Sequence, residues 1–194
     1  MIKFISFSGP QGSGKTTLAH HIKTLCQKYD NYTTVFFPSI TRIYLEKLDI
    51  NLQNLRKNEE GLKIWQYFTL KEHFEIIKNY ELLSEHTNLI VVMDRCYLDF
   101  LIYTEMFLGK KFKQKLESMF KDEINFFDIN SIKFFVEPIF TSEDEIKDGI
   151  RDTSVYKKEI IAFEHYKEKF DCVVPPLPLE ERIEVVKERL DMII

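Results

Sequence analysis

The sequence predicts an α/β fold of three layers, an about five-stranded parallel sheet with helices on both faces and a lid segment. Three observations predict it. Short β-branched and aromatic runs alternate with longer segments whose apolar residues recur at helical spacing, and such alternation calls for parallel strands joined by crossover helices. The run Leu89-Ile90-Val91-Val92-Met93 is apolar without a break, as a strand buried on both faces must be. A glycine-rich octapeptide, residues 9–16, separates the first apolar run from the first helical pattern.

The elements follow in order. Lys3–Ser8 reads as the first strand, and Leu18, Ile22, Leu25 and Tyr29 place a helix after the glycines. Thr33–Phe37, stopped by Pro38, is a second strand. Ile40–Leu48 reads as a short helix and Gln53–Lys57 as a linker. Leu62, Trp65 and Phe68 lie three apart and open a long helix that runs to Glu85. Leu89–Met93 is the third strand. Helices then fit Tyr97–Leu108 and Lys113–Lys121, and Ser131–Val136 is a fourth strand. Ser154–Phe170 reads as a helix, Cys172–Val174 as a short fifth strand, and Leu179, Ile183, Val186 and Leu190 as a closing helix. Pro175-Pro176-Leu177-Pro178 is a stiff turn into that helix. No repeat, low-complexity tract or linker interrupts the pattern, so residues 1–194 read as one domain with a lid over residues 138–155.

Bulk properties narrow the function. A chain of 194 residues is long enough for one substantial core. Lys and Arg number 27 against 31 Asp and Glu, and the net charge of −4 argues against a broad basic surface for duplex nucleic acid. Cys26, Cys96 and Cys172 lie far apart with no CxxC pair and are expected as reduced thiols packed like small apolar groups. The five histidines show no ligand spacing. Met1–Ser8 is too short and too polar for a signal peptide, and no run of about 18 apolar residues exists. A cytoplasmic location without a membrane partner is therefore expected. Richness in Lys, Asn, Ile and Phe points to an AT-rich genome.

The octapeptide Gly-Pro-Gln-Gly-Ser-Gly-Lys-Thr satisfies G-x-x-x-x-G-K-[ST], the phosphate-binding loop of nucleoside-triphosphate proteins. Its glycines let the loop wrap a phosphate with its own N–H groups, and the following helix turns its positive end toward the anion. Gly9, Gln11, Gly12, Ser13, Gly14, Lys15, Thr16 and Thr17 are thus the candidate nucleotide-binding residues. Lys15 would reach the β- and γ-phosphates and the Thr16 hydroxyl would hold Mg²⁺, so ATP and Mg²⁺ are the expected cofactors and the fold is of the P-loop NTPase type. The absence of an N/T-K-x-D guanine motif disfavours a GTPase.

Other segments complete the candidate site. Asp94 ends the central apolar strand, where an acidic residue holds Mg²⁺ or its waters or accepts a proton from an acceptor hydroxyl. Arg95 could clamp phosphate oxygens, the plainer reading being a solvated Asp-Arg pair. Asp99 is expected to orient Arg95 or cap the next helix. The acidic segment Glu137–Asp152 carries Gly149 and Arg151, as a water-excluding lid would, and Arg151 would place positive charge on the transferring phosphoryl group. Lys15, Asp94, Arg95 and Arg151 are therefore the candidate catalytic residues, and Thr16 and Asp94 the metal ligands. Ser39 and Arg42 follow the second strand, where site loops gather, and Arg42 either touches an anionic acceptor or pairs on the surface. Among Trp65, Tyr67, Phe68 and Phe74, helical spacing suits core packing, while Trp65 and Phe68 are the candidates for stacking on a base.

Together GPQGSGKTTL, Phe-Pro-x-Ile-Thr-Arg after the second strand, VVMDR-x-x-x-D, and EP…DGIRD before a long helix resemble the P-loop nucleoside and nucleotide kinase superfamily. The nearest resemblance is to the AAA-type ATPase/kinase group that includes ribosylnicotinamide kinase domains and phage-encoded relatives; thymidylate and deoxynucleoside kinases are more distant. The resemblance implies phosphate and Mg²⁺ roles for Lys15 and Thr16, the acidic strand end for Asp94 and the lid arginine for Arg151. One position departs. Relatives often carry Glu or Asp where Ser39 stands, and a serine is no base near neutral pH, so the proton acceptor falls to Asp94 or is absent.

The sequence thus reads as an ATP- and Mg²⁺-dependent phosphotransferase acting on a nucleoside or nucleoside monophosphate. A small-molecule nucleoside or nucleotide is the expected partner, and a homodimer is allowed. The alternatives are a regulatory or motor P-loop ATPase with water as acceptor, a kinase of polynucleotide ends or modified DNA bases, and a non-catalytic nucleotide-binding protein.

Overall fold

The computed structural model describes residues 1–139 and 155–192. The strands are β1 (Ile2–Ser8), β2 (Thr33–Phe37), β3 (Leu89–Asp94), β4 (Ser131–Val136) and β5 (Cys172–Val174). The helices are α1 (Lys15–Cys26), α2 (Ile40–Lys47), α3 (Leu52–Arg56), α4 (Glu59–Leu83), α5 (Tyr97–Leu108), α6 (Lys110–Met119), α7 (Lys121–Asn130), α8 (Tyr156–His165) and α9 (Leu179–Leu190). The strands form one sheet in the order β2-β3-β1-β4-β5, and every neighbouring pair is parallel. The central β1 lies between β3 and β4, so the strand order reverses there, and the loop leaving β1 opens at the crevice where such sheets bind ligands.

Strand alternation decides what faces what. Ile5 and Phe7 of β1, Ile90 and Val92 of β3, and Ile132, Phe134 and Val136 of β4 pack with α1 and α9. Phe4 of β1, Leu89, Val91 and Met93 of β3, and Phe135 of β4 pack with α4, α5, α7 and α8. Both sides of the sheet are therefore apolar, and burying each such side chain contributes about 1.5–3 kcal/mol. Asp94 follows Ile90 and Val92 in the same alternation, which turns it toward α1. Ser8 follows Phe4 and turns toward α5. Among the described residues no helix is long and apolar enough to cross a membrane.

The expected fold class and all five strands are present, and the differences lie in helices. The expected linker at Gln53–Lys57 falls largely within α3, which the Asn51 side chain caps by accepting the Asn54 N–H at 3.0 Å. A five-residue turn shows no apolar period. The helix expected over Lys113–Lys121 is α6, three residues earlier at its start, and α7 follows it unforeseen, burying Phe127. The helix expected over Ser154–Phe170 is shorter, ending at His165 before a 3₁₀ turn at Lys167–Lys169. Cys26 and Cys96 are buried free thiols, each pushed up to about 12 by burial, while Cys172 is half-buried.

Candidate active site

The glycine loop occupies the carboxyl end of β1. Gly9 has φ 152° there, and a Cβ on it would stand 2.4 Å from the Val136 carbonyl oxygen, so no larger residue fits. Gly14, at φ 78°, is the residue from which α1 starts. Lys15 and Thr16 therefore lie in the first helical turn with the positive end of the helix behind them, and Thr17 beside them is exposed. Lys15 is buried and its Nζ donates to the Pro10 carbonyl at 3.0 Å. Burial, helped by Arg95, pulls its pKa down to about 8 against the carboxylates of Asp94, Asp99 and Glu159. An arriving polyphosphate would restore the missing opposite charge.

Asp94 and Thr16 meet as the alternation requires. The Thr16 hydroxyl donates to Asp94 Oδ2 at 2.8 Å, while Asp94 Oδ1 is buried without a partner among the described residues. A hydroxyl and a carboxylate with one free oxygen are hard ligands that suit Mg²⁺. Arg95 follows with φ 94°, a conformation strained for a residue with a side chain. Its Nη1 pairs with Asp99 Oδ1 at 2.8 Å and its guanidinium lies 5.6 Å from the Tyr103 ring centre. Burial works against that charge, but Tyr103, Asp99, Asp94 and Glu159 outweigh it and raise the pKa. Asp99 performs both expected roles. It orients Arg95, and its Oδ2 accepts from the Cys96 N–H at 3.1 Å to cap α5 and from the Ser8 hydroxyl.

Two site residues were not foreseen. Arg182, on α9 and 2% exposed, donates through Nη1 to the Ser13 carbonyl at 2.6 Å and through Nη2 to the Glu137 carbonyl at 3.0 Å. It ties the loop to the end of β4. Glu159, on α8 and fully buried, accepts from the Gln11 N–H at 3.2 Å and from Gln11 Nε2 at 2.7 Å. The Pro10–Gln11 peptide therefore carries Lys15 on its carbonyl and Glu159 on its N–H.

The acceptor candidates are placed less decisively. Ser39 is buried at the N-cap of α2, and its side chain makes no capping bond to the helix. Arg42 is exposed on α2, and no carboxylate among the described residues pairs with it. Trp65 is buried on α4, and half-buried Phe68 lies beside it at 6.3 Å and edge-on to Tyr44 of α2 at 4.9 Å. These rings form a wall between α2 and α4. Phe74 belongs to the core, 5.5 Å from Phe120. Arg151 and most of the expected lid, residues 140–154, lie outside the described residues.

With this geometry in hand, the relatives are informative. The model of a family described as AAA domain matches residues 4–170. No curated protein matches the chain. Solved structures similar to it include deoxyadenosine kinase from M. mycoides with bound dATP, at 15% identity and TM-score 0.62, covering 97% of this chain and 99% of that one. The same enzyme with the products dCMP and dCDP matches at 17% identity and TM-score 0.58, covering 98% and 100%. Thymidylate kinase from Ehrlichia chaffeensis matches at 20% identity and TM-score 0.56, covering 97% and 98%. At these identities the likeness establishes a shared fold.

Proposed function

The chain belongs to the AAA domain family, and on that premise we propose that it is an ATP- and Mg²⁺-dependent kinase phosphorylating a nucleoside or nucleoside monophosphate. The observation that carries this reading is the Thr16–Asp94 contact at the mouth of the glycine loop, with Asp94 Oδ1 left buried and unpartnered. The solved kinases of the same fold support it, since one binds dATP and another acts on thymidylate. In this reading the loop N–H groups and Lys15 hold the β- and γ-phosphates. Thr16 and Asp94 would hold Mg²⁺, which supplies positive charge to the phosphate oxygens. Arg95, kept charged and aimed by Asp99, would neutralise charge on the transferring phosphoryl group, the role the sequence also suggests for Arg151.

The test is a screen of nucleosides, nucleoside monophosphates and nicotinamide riboside with γ-labelled ATP. Transfer of label to one acceptor class is expected. ATP hydrolysis that no acceptor stimulates would instead establish a water-directed ATPase. Label appearing only on polynucleotide ends would establish a DNA or RNA kinase.

A further inference from the structure

Phosphoryl transfer to a hydroxyl needs a group that receives the hydroxyl proton. Three carboxylates are buried at the site, and two are already committed. Asp94 is engaged with Thr16 on the metal side. Asp99 is filled by Ser8, the Cys96 N–H and Arg95. The third is Glu159, whose two oxygens each accept a single bond among the described residues, both from Gln11, so each keeps a lone pair for another donor there. A fully buried carboxylate beside a loop made to bind anions is costly to maintain. Its fixed position needs a reason beyond packing.

Its surroundings supply one. Lys15, the residue that reaches the β- and γ-phosphates, sits on the carbonyl of the peptide whose N–H holds Glu159. The Glu159 charge also bears on Arg95 and Tyr103 of α5. Glu159 therefore stands against the phosphate loop at Gln11, on the opposite side of the Pro10–Gln11 peptide from the Lys15 ammonium, with Arg95 and Tyr103 of α5 within reach of its charge. We propose that the Glu159 carboxylate binds the hydroxyl of the phosphate acceptor and takes its proton during transfer. As the acceptor oxygen bonds to the γ-phosphorus, the bond from that phosphorus to the β-γ bridging oxygen breaks and ADP leaves with the electron pair. The hydroxyl proton passes to Glu159, which later releases it to water. Ser39 then needs no basic function, and Asp94 remains free for the metal. This inference rests on the kinase reading and names the residue of that site which handles the acceptor.

The test uses the wild-type enzyme, Glu159→Gln and Glu159→Asp, with a nucleoside acceptor from the screen; a protein that phosphorylates only monophosphates, whose attacking oxygen carries no proton to remove, overturns the inference. The Gln variant keeps the shape and an acceptor oxygen for Gln11 but cannot take a proton. We expect its kcat to fall by about 10²–10⁴-fold while the Kd for ATP changes by less than about threefold. Glu159→Asp should retain an intermediate rate. If kcat is unchanged, or falls only in proportion to a weakened ATP affinity, Glu159 merely organises the loop and the inference is overturned. A wild-type protein that phosphorylates no acceptor overturns the kinase reading, and this inference with it.

Discussion

The phosphate loop and the α2–α4 wall both follow strand ends at the same edge of the sheet, yet they are held by different physics. Around the loop, charged side chains bond to backbone. Arg182 fixes the Ser13 carbonyl, Glu159 fixes the Gln11 N–H and Lys15 lies on the Pro10 carbonyl. Around the wall, rings pack on rings. Phe68 lies against Trp65 and Tyr44, and Phe37, just before Ser39, stacks on His73 at 5.6 Å. Directional bonds in a buried setting fix one shape, as a site for an unvarying polyphosphate would require. Apolar ring packing tolerates changes of shape, as a surface that distinguished acceptors would require. Under the proposed function the loop is a constant donor half and the wall an adjustable acceptor half.

The sharpest way to break this contrast is at Lys15. Lys15→Ala should lower turnover by at least about 10²–10³-fold, as loss of one preorganised charge does. Its thermal midpoint should change little, because loss of the bond to the Pro10 carbonyl is offset by removal of an ammonium that burial disfavours. Wild-type turnover in this variant would show that the loop is not the donor site. Arg182 comes next. Arg182→Ala leaves the Ser13 and Glu137 carbonyls without their donor and should cost about 2–4 kcal/mol in urea unfolding, with weaker ATP binding. Arg182→Lys should recover only part, since one ammonium cannot reproduce the two-pronged contact. A stable Arg182→Ala protein with unchanged ATP affinity would mean the loop holds its shape unaided.

The contrast also explains what the sequence could disclose. Gly9–Thr16 and Asp94 were legible because the loop needs fixed residue types at fixed spacing, and β3 because a doubly buried parallel strand must be apolar throughout. Glu159 and Arg182 were not. Their partners Gln11 and Ser13 lie 148 and 169 residues away in the chain, so only the folded topology brings them together. Nothing in a helical Glu or Arg distinguishes one that turns inward from one that is solvated. The short α3 escaped for another reason: its only local signal is the Asn51 cap. α7 carries only a short local signal, Ile124 and Phe127 three apart behind Asp122 and Glu123.

The acceptor half should be the more sensitive to acid. His73 is 2% exposed among Phe37, Phe74, Phe100 and Phe127, its Nε2 has no partner among the described residues, and burial pulls its pKa down to about 3. A folded-state pKa below the unfolded one means that the unfolded chain binds more protons between the two values. The stability this group provides is full above about pH 6.5 and is lost toward pH 3, by about 1.4 kcal/mol per pH unit at most. Denaturant unfolding from pH 7 to 4 should show this slope, and His73→Phe should flatten it. An unchanged slope in that variant would place the acid sensitivity elsewhere.

The smallest effect is expected at Arg42, and it says most about the acceptor. Its side chain is exposed and meets no carboxylate among the described residues, so Arg42→Ala should change stability by no more than about 0.5 kcal/mol. Whether it changes kcat/KM depends on the charge of the acceptor. A neutral nucleoside offers an exposed guanidinium nothing to bind, and the variant should then stay within about threefold of wild type. A monophosphate brings two negative charges, and a guanidinium reaching it in the complex would contribute a charge-assisted bond of about 1.5–3 kcal/mol, or about tenfold or more in kcat/KM. The geometry here, with Arg42 turned to solvent, favours the first outcome. A large loss confined to monophosphate acceptors would show α2 rotating toward the loop when substrate binds. The wall would then be a moving part of the site, and the contrast between a fixed donor half and an adjustable acceptor half would be one of motion as well as packing.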